Sequence, residues 1–153
     1  MKTIKIGVNG FGRIGRQLTK LLLNNKNLEI VAINDLSDSK TSAHLFKFDT
    51  SYGIFQNKVD CNENEIIINN KTINKISEKD PSNINWSDFG VDIVVESTGI
   101  FTKKNDALKH LNGSVKKVII SAPATDEDIT IVLGVNEKTY DPKNHHIISN
   151  ASC

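Results

Sequence analysis

Residues 8–16 read V-N-G-F-G-R-I-G-R, and this stretch limits what the chain can fold into more than any other. Gly10, Gly12 and Gly15 stand in G-x-G-x-x-G spacing, with Phe11 inside the turn. Between a strand and a helix, the first such glycine permits a tight turn and the second lets the backbone approach a pyrophosphate. The third lets the helix pack closely on the strand. Phosphates would rest there on unpaired N–H groups at the positive end of the helix dipole. Three glycines in six residues also describe a plain loop, so the flanking residues decide.

Upstream, Ile4, Ile6 and Val8 alternate with Lys5 and Gly7, the pattern of a short strand. Downstream, Ile14, Leu18, Leu21 and Leu22 form one apolar helical face that Asn24 and Asn25 can end. Residues 28–33 are apolar and rich in β-branched side chains, a second strand closing on Asn34 and Asp35. Asp35 lies 20 residues beyond Gly15, the separation at which a carboxylate at the tip of a second strand accepts hydrogen bonds from a ribose. A 2′-phosphate would meet a carboxylate there that cannot neutralise it, which favours NAD over NADP. By itself Asp35 would also serve as a solvated turn residue or a helix cap; strand, glycines, helix, strand and acid in register favour the dinucleotide.

At 153 residues the chain suits one domain with a sizeable core. Its formal charge of +1 offers no basic stripe for nucleic acid, which argues against RNA in the groove. No stretch reaches the length of a membrane span and the basic-then-apolar pattern of a signal peptide is missing, so a cytoplasmic location is expected. Cys61 and Cys153 have no metal-ligand spacing, His44 reads as a surface or packing residue and His145 and His146 as surface residues rather than ligands, so no metal is expected.

Past Asp35, residues 37–48 suggest a short helix capped by Asp38 or Ser39, and residues 47–55 a loop that packs against a partner. Ile66, Ile67 and Ile68, then Asn69-Asn70-Lys71, then residues 72–76 form a hairpin pattern, with Asp80-Pro81 turning the chain afterwards. Residues 91–95 and 117–120 read as buried parallel strands separated by a helix over 102–111, with Ala107, Leu108 and Leu111 on one face. The first ends in Glu96-Ser97-Thr98-Gly99 and the second in Ser121-Ala122-Pro123-Ala124; ligands bind at such strand ends, so Thr98 and Gly99 are candidate cofactor contacts and Phe101 is placed near an adenine. Residues 126–128 read as an exposed acidic turn, 129–135 as a strand, and Ile147-Ile148 as a short last strand. The pattern is α/β: a Rossmann-type doubly wound, mostly parallel sheet with an inserted antiparallel hairpin. Cys153 follows that last strand, where a further helix would stabilise its thiolate; an inert terminal thiol is the alternative.

In this order and spacing, N-G-F-G-R-I-G-R, A-I-N-D-L, E-S-T-G-I-F-T, S-A-P-A and S-N-A-S-C closely resemble the amino-terminal half of phosphorylating glyceraldehyde-3-phosphate dehydrogenases. The resemblance implies that Cys153 is the catalytic nucleophile and that Ser152 lies in the substrate site. It implies Arg13 and Ile14 at the start of the cofactor helix, Asp35 at the adenosine ribose, Asn34 among the cofactor-binding residues, and Lys79, Thr98, Phe101 and Ser121 along the rest of NAD. It further implies a glycolytic homotetramer acting on a triose phosphate and inorganic phosphate, with 47–53 packing between subunits. The cysteine adds to the aldehyde, hydride passes to NAD, and phosphate attack on the thioester releases 1,3-bisphosphoglycerate. The departures are Lys79 where arginine is frequent and Tyr52 where histidine is. The NAD-binding domain would occupy 1–153 and a catalytic domain bearing the histidine base would follow, so these residues alone are expected to bind NAD without turnover. Erythrose-4-phosphate dehydrogenase shares a nearly identical amino-terminal half; N-D-L after the second strand leans towards the triose enzyme. A non-catalytic nucleotide- or RNA-binding module is the reading from another class.

Overall fold

The computed structural model describes residues 2–151; Ser152 and Cys153, assigned above to the substrate site and the nucleophile, lie outside them. In chain order the elements are β1 (Ile4–Asn9), α1 (Arg13–Leu22), β2 (Leu28–Asn34), α2 (Ser39–Lys47), β3 (Phe48–Asp49), β4 (Gly53–Ile54), β5 (Val59–Asn62), β6 (Glu65–Ile68), β7 (Lys71–Ile76), β8 (Ile93–Glu96), α3 (Lys104–Ala107), β9 (Lys117–Ile120), β10 (Ile129–Thr130) and β11 (Ile147–Ser149). One sheet runs β10-β11-β9-β8-β1-β2-β7-β6-β5, and β3 pairs with β4 as a separate ribbon. Every pair from β10 to β7 is parallel. The antiparallel steps β7-β6 and β6-β5 form the inserted excursion, whose tight turn puts Asn69 and Asn70 at φ 52° and 64°, a conformation asparagine tolerates better than most residues.

Each face of the sheet buries its own core. Beneath α1 and α2 lie Ile6, Val8, Ile33, Ile66 and Ile73, with Phe46 of α2 packed onto them; on the other face Trp86, Val91, Val94, Val118 and Ile147 pack against Ala107 and Ile84. Strand order reverses direction between β1 and β8, because the chain first builds outward through β2 and β7 and then returns to β1's other side. The carboxyl ends at such a reversal diverge and leave a crevice.

Several expectations are corrected. On α1 the side facing the sheet is Gly15, Leu18, Thr19 and Leu22, whereas Ile14 is 56% and Leu21 79% exposed. Gly15 brings the helix so close to β1 that the buried stripe rotates by one residue from the most apolar one. The helix over 102–111 is only α3, continued by a tighter 3-10 turn over Leu108–His110 that carries His110 into the core while Leu108 stays exposed. The strand over 129–135 stops at Thr130, because the Asn136 side chain accepts from Val132 N–H and donates to the Thr130 carbonyl, closing a turn. Residues 47–55, expected as a packed loop, form the short β3-β4 ribbon. Asp128 is not an exposed acid: it accepts from the backbone N–H groups of His146 and Ile147 at 2.7 and 2.8 Å and pairs with Lys104 at 2.5 Å. His145 is half-buried, its Nδ1 accepting from Asp141 N–H at 3.0 Å.

Candidate functional site

The ends of β1, β2, β7 and β8 are locked by side chains before any ligand is considered. Asn34 donates to Asn9 Oδ1 at 2.7 Å and to the Glu78 carbonyl at 2.9 Å, and accepts from Glu78 N–H at 2.8 Å. Asn9 in turn donates to Glu96 Oε2 at 2.5 Å. Asn9 and Glu96 are each 1% exposed and Asn34 5%, so these amides and the carboxylate act as a fixed polar floor rather than as surface groups. Glu96 Oε1 accepts from both the N–H and the hydroxyl of Thr98, and Oε2 also meets His110 Nε2 at 3.0 Å. His110 Nδ1 accepts from Trp86 Nε1–H at 3.1 Å. Because indole can only donate, that bond assigns the imidazole proton to Nε2, from which it reaches Glu96.

Above this floor opens a cleft of about 610 Å³. One wall is the glycine turn with Ser97, Thr98, Ile100 and Phe101; the other is Asp35, Leu36 and residues 78–81. The turn has the geometry that its spacing predicts. Gly10 has φ +93°, and a Cβ on it would lie 2.7 Å from Thr98 N; a Cβ on Gly15 would lie 2.2 Å from the Gly10 carbonyl oxygen. Around Gly12, by contrast, nothing lies within 4 Å of such an atom. Gly12 is the N-cap of α1, and among the described residues no side chain caps that helix and no acid sits in its first turn. The helix therefore presents bare N–H groups and positive dipole to empty space, which suits a pyrophosphate.

Asp35 is held on the opposite side by an Asx-type turn. Its Oδ1 accepts from Ser37 N–H and Oγ–H at 2.9 and 2.6 Å, and its Oδ2 accepts from Phe11 N–H at 2.8 Å. Burial pushes its pKa up, but the hydrogen bonds from Ser37 and Phe11 and the nearby Lys75 cation outweigh that and hold it below the ordinary carboxylate value. It is therefore charged at neutral pH. Among the described residues one lone pair of Oδ2 remains unused and available to a hydroxyl.

Of the residues singled out by sequence, Gly10, Gly12, Asn34, Asp35, Lys79, Thr98 and Phe101 line this cleft. Phe11 contributes only its N–H: its ring is 3% exposed and stacks on Phe46 at 5.9 Å. Gly15 supports the turn from below. Arg13 and Ile14 lie exposed on the first turn of α1 outside the lining, as does Gly99 at φ +73°. Ser121 sits past β9, its N–H donating to the Glu96 carbonyl at 3.0 Å, also outside the lining. Sequence reasoning passed over Asn9, Glu78, Asp80, Ile100, Lys109 and the pair Glu96–His110. A polar residue at the last position of each central strand was the available signal for Asn9 and Glu96; His110 had none, since only folding brings it to them.

A glycine-lined anion cradle and a fixed acid side by side in one cleft fit the phosphate and ribose of a dinucleotide. The family described as "Glyceraldehyde 3-phosphate dehydrogenase, NAD binding domain" matches residues 4–104. Among curated relatives, glyceraldehyde-3-phosphate dehydrogenase 1 of Bacillus cereus is 62% identical over 149 residues, 97% of this chain. The enzymes named glyceraldehyde-3-phosphate dehydrogenase from Streptomyces coelicolor and Geobacillus stearothermophilus are 59% and 57% identical, over 99% and 98% of the chain. The chain spans about 45% of the length of each of these relatives.

Proposed function

Since the chain belongs to the glyceraldehyde 3-phosphate dehydrogenase family through that family's NAD-binding domain, we propose that it serves a phosphorylating, NAD-dependent oxidation of glyceraldehyde 3-phosphate. NAD is the cofactor of the domain. In this proposal residues 1–153 form the NAD-binding domain; Gly10, Gly12, Gly15 and the N–H groups of Arg13 and Ile14 hold the pyrophosphate, while Phe11 N–H positions Asp35. Asn34 and Asp35 serve the adenosine ribose, and Lys79, Thr98, Gly99, Phe101 and Ser121 serve the remainder. The observation that carries the reading is Asp35: its carboxylate, fastened to Phe11 N–H at 2.8 Å, faces the same cleft as the uncapped glycine turn.

When bound, NAD supplies the two-electron acceptor. The chain's own contribution is to orient it. The Asn9–Asn34–Glu96 floor keeps the strand ends in register, and Thr98, fastened to Glu96, borders the half of the cleft away from Asp35. Cys153 is the proposed nucleophile: its thiolate forms a bond to the aldehyde carbon and carries the acyl group until inorganic phosphate takes it and the thiolate leaves. Ser152 is proposed beside it in the substrate site. A histidine base from a catalytic domain is required for turnover, so residues 1–153 alone bind NAD without producing NADH. The complete protein is proposed to be a cytoplasmic, glycolytic homotetramer. In support of subunit packing, Phe48, Tyr52 and Ile54 of the β3-β4 ribbon are 47%, 73% and 57% exposed.

Calorimetric titration tests the cofactor site directly. NAD should bind at least about tenfold more tightly than NADP, since a 2′-phosphate would be forced against the charged Asp35. Equal affinity for the two would overturn the assignment of Asp35 to the ribose.

A further inference from the structure

Strand β7 alternates in burial, and Ile73 and Lys75 both point to the face covered by α2, at 2% and 8% exposed. The strand pattern calls for an apolar residue at position 75, because a buried cation costs several kcal/mol unless its donors are satisfied. Here they are. Lys75 Nζ donates to the carbonyls of Asp35 at 2.5 Å, Ser37 at 2.8 Å and Ile76 at 3.0 Å, which uses all three ammonium protons. Two of those carbonyls belong to loop 35–37 and the third to the end of β7, so the ammonium straps the loop to the sheet.

Besides this strap, the loop is held by Asp35 N–H donating to the Ile76 carbonyl at 3.0 Å, by Phe11 N–H on the Asp35 carboxylate and by a Ser37–Ser42 hydroxyl contact at 2.9 Å, and space lies open on both sides of it. On one side lies the dinucleotide cleft, lined by Asp35 and Leu36; on the other a second cavity of about 300 Å³ is lined by Leu36, Ser37, Lys75 and Glu63. Leu36 at the loop's apex is 64% exposed and supplies no core packing. We propose that Lys75 is a positioning residue for ribose recognition: its buried ammonium fixes loop 35–37 so that Asp35 Oδ2 offers its unused lone pair to the adenosine 2′-hydroxyl. The inference rests on the NAD-site reading above. It also has an electrostatic side, since burial pushes the Lys75 pKa down while Asp35 and Asp38 oppose that, and the remaining cation helps keep Asp35 charged.

The test compares NAD with its 2′-deoxyadenosyl analogue in titrations of the wild-type protein, Lys75→Met and Lys75→Gln. Wild type should prefer NAD. In Lys75→Met the NAD affinity should fall about tenfold while the analogue's changes less than about twofold, so that the preference collapses. Lys75→Gln, uncharged yet able to donate two hydrogen bonds, should fall between them and is read by the same ratio if Lys75→Met does not fold. A preference for NAD undiminished from wild type in Lys75→Met, or in Lys75→Gln where Lys75→Met does not fold, would overturn the strap alone, whatever the melting temperature does. A wild-type protein that binds neither ligand would overturn the NAD-site reading with it.

Discussion

Asp128 demonstrates how far a single carboxylate can depart from its sequence context. Within Asp126-Glu127-Asp128 it has acidic neighbours and the pattern of a solvated turn, yet its side chain is 13% exposed and gathers two backbone N–H groups and Lys104. Burial pushes its pKa up, but the bonds from Ile147, Lys104 and His146 prevail and bring it to about 2. A folded value below the unfolded one means stability that is fully present above about pH 4 and lost as pH falls through the folded value. Discounted for solvent screening, the shift corresponds to about 1 kcal/mol. Urea midpoints between pH 6 and pH 2.5 should therefore drop more steeply for wild type than for Asp128→Asn, which starts lower and stays flatter; parallel profiles would contradict the assignment. The same side chain anchors β11 to α3 and so holds the strand that precedes Cys153.

At the scale of the element, α1 is governed by its contact with β1 more than by its own apolar residues. The most apolar face would have included Ile14 and Leu21, but Gly15 and Thr19 occupy the buried line because only there can the helix descend onto the turn. Thr19 Oγ–H donates back to the Gly15 carbonyl at 2.8 Å, completing the contact without a side chain at 15. Gly15→Ala improves intrinsic helix propensity by about 1 kcal/mol, yet its Cβ would stand 2.2 Å from the Gly10 carbonyl oxygen. Backbone cannot yield as a flexible side chain would, so a net loss of about 2 kcal/mol is expected together with a loss of NAD affinity. Denaturant titration and NAD titration of the variant check the two effects separately, and unchanged NAD binding would show that the turn does not need this approach.

Across the whole molecule, the two cores communicate through the polar floor. Trp86, the chain's single tryptophan, is fully buried and donates to His110, which donates to Glu96, which holds Thr98 and Asn9. His110→Leu would leave the indole N–H without a partner in the interior and take from Glu96 Oε2 one of its two donors, Asn9 remaining, at a cost of about 2 kcal/mol. Fluorescence-monitored urea unfolding should show that loss with a shifted folded-state Trp86 emission; a stability within about 0.5 kcal/mol of wild type would mean that water replaces the ring. Local sequence alone determined the strands β1, β2, β8 and β9, the hairpin β6-β7, the glycine turn and the acid at position 35, because periodicity, turn chemistry and a fixed separation are properties of neighbouring residues. Tertiary structure decided which face of α1 is buried, where α3 and β10 stop, that Asp128 is an anchor, and that His110 and Lys75 serve the cleft. Most of those depend on partners that only the fold brings together, as with Asp128 and His146 or Lys75 and Asp35, and burial with a specific hydrogen-bond partner leaves no periodic mark in a sequence.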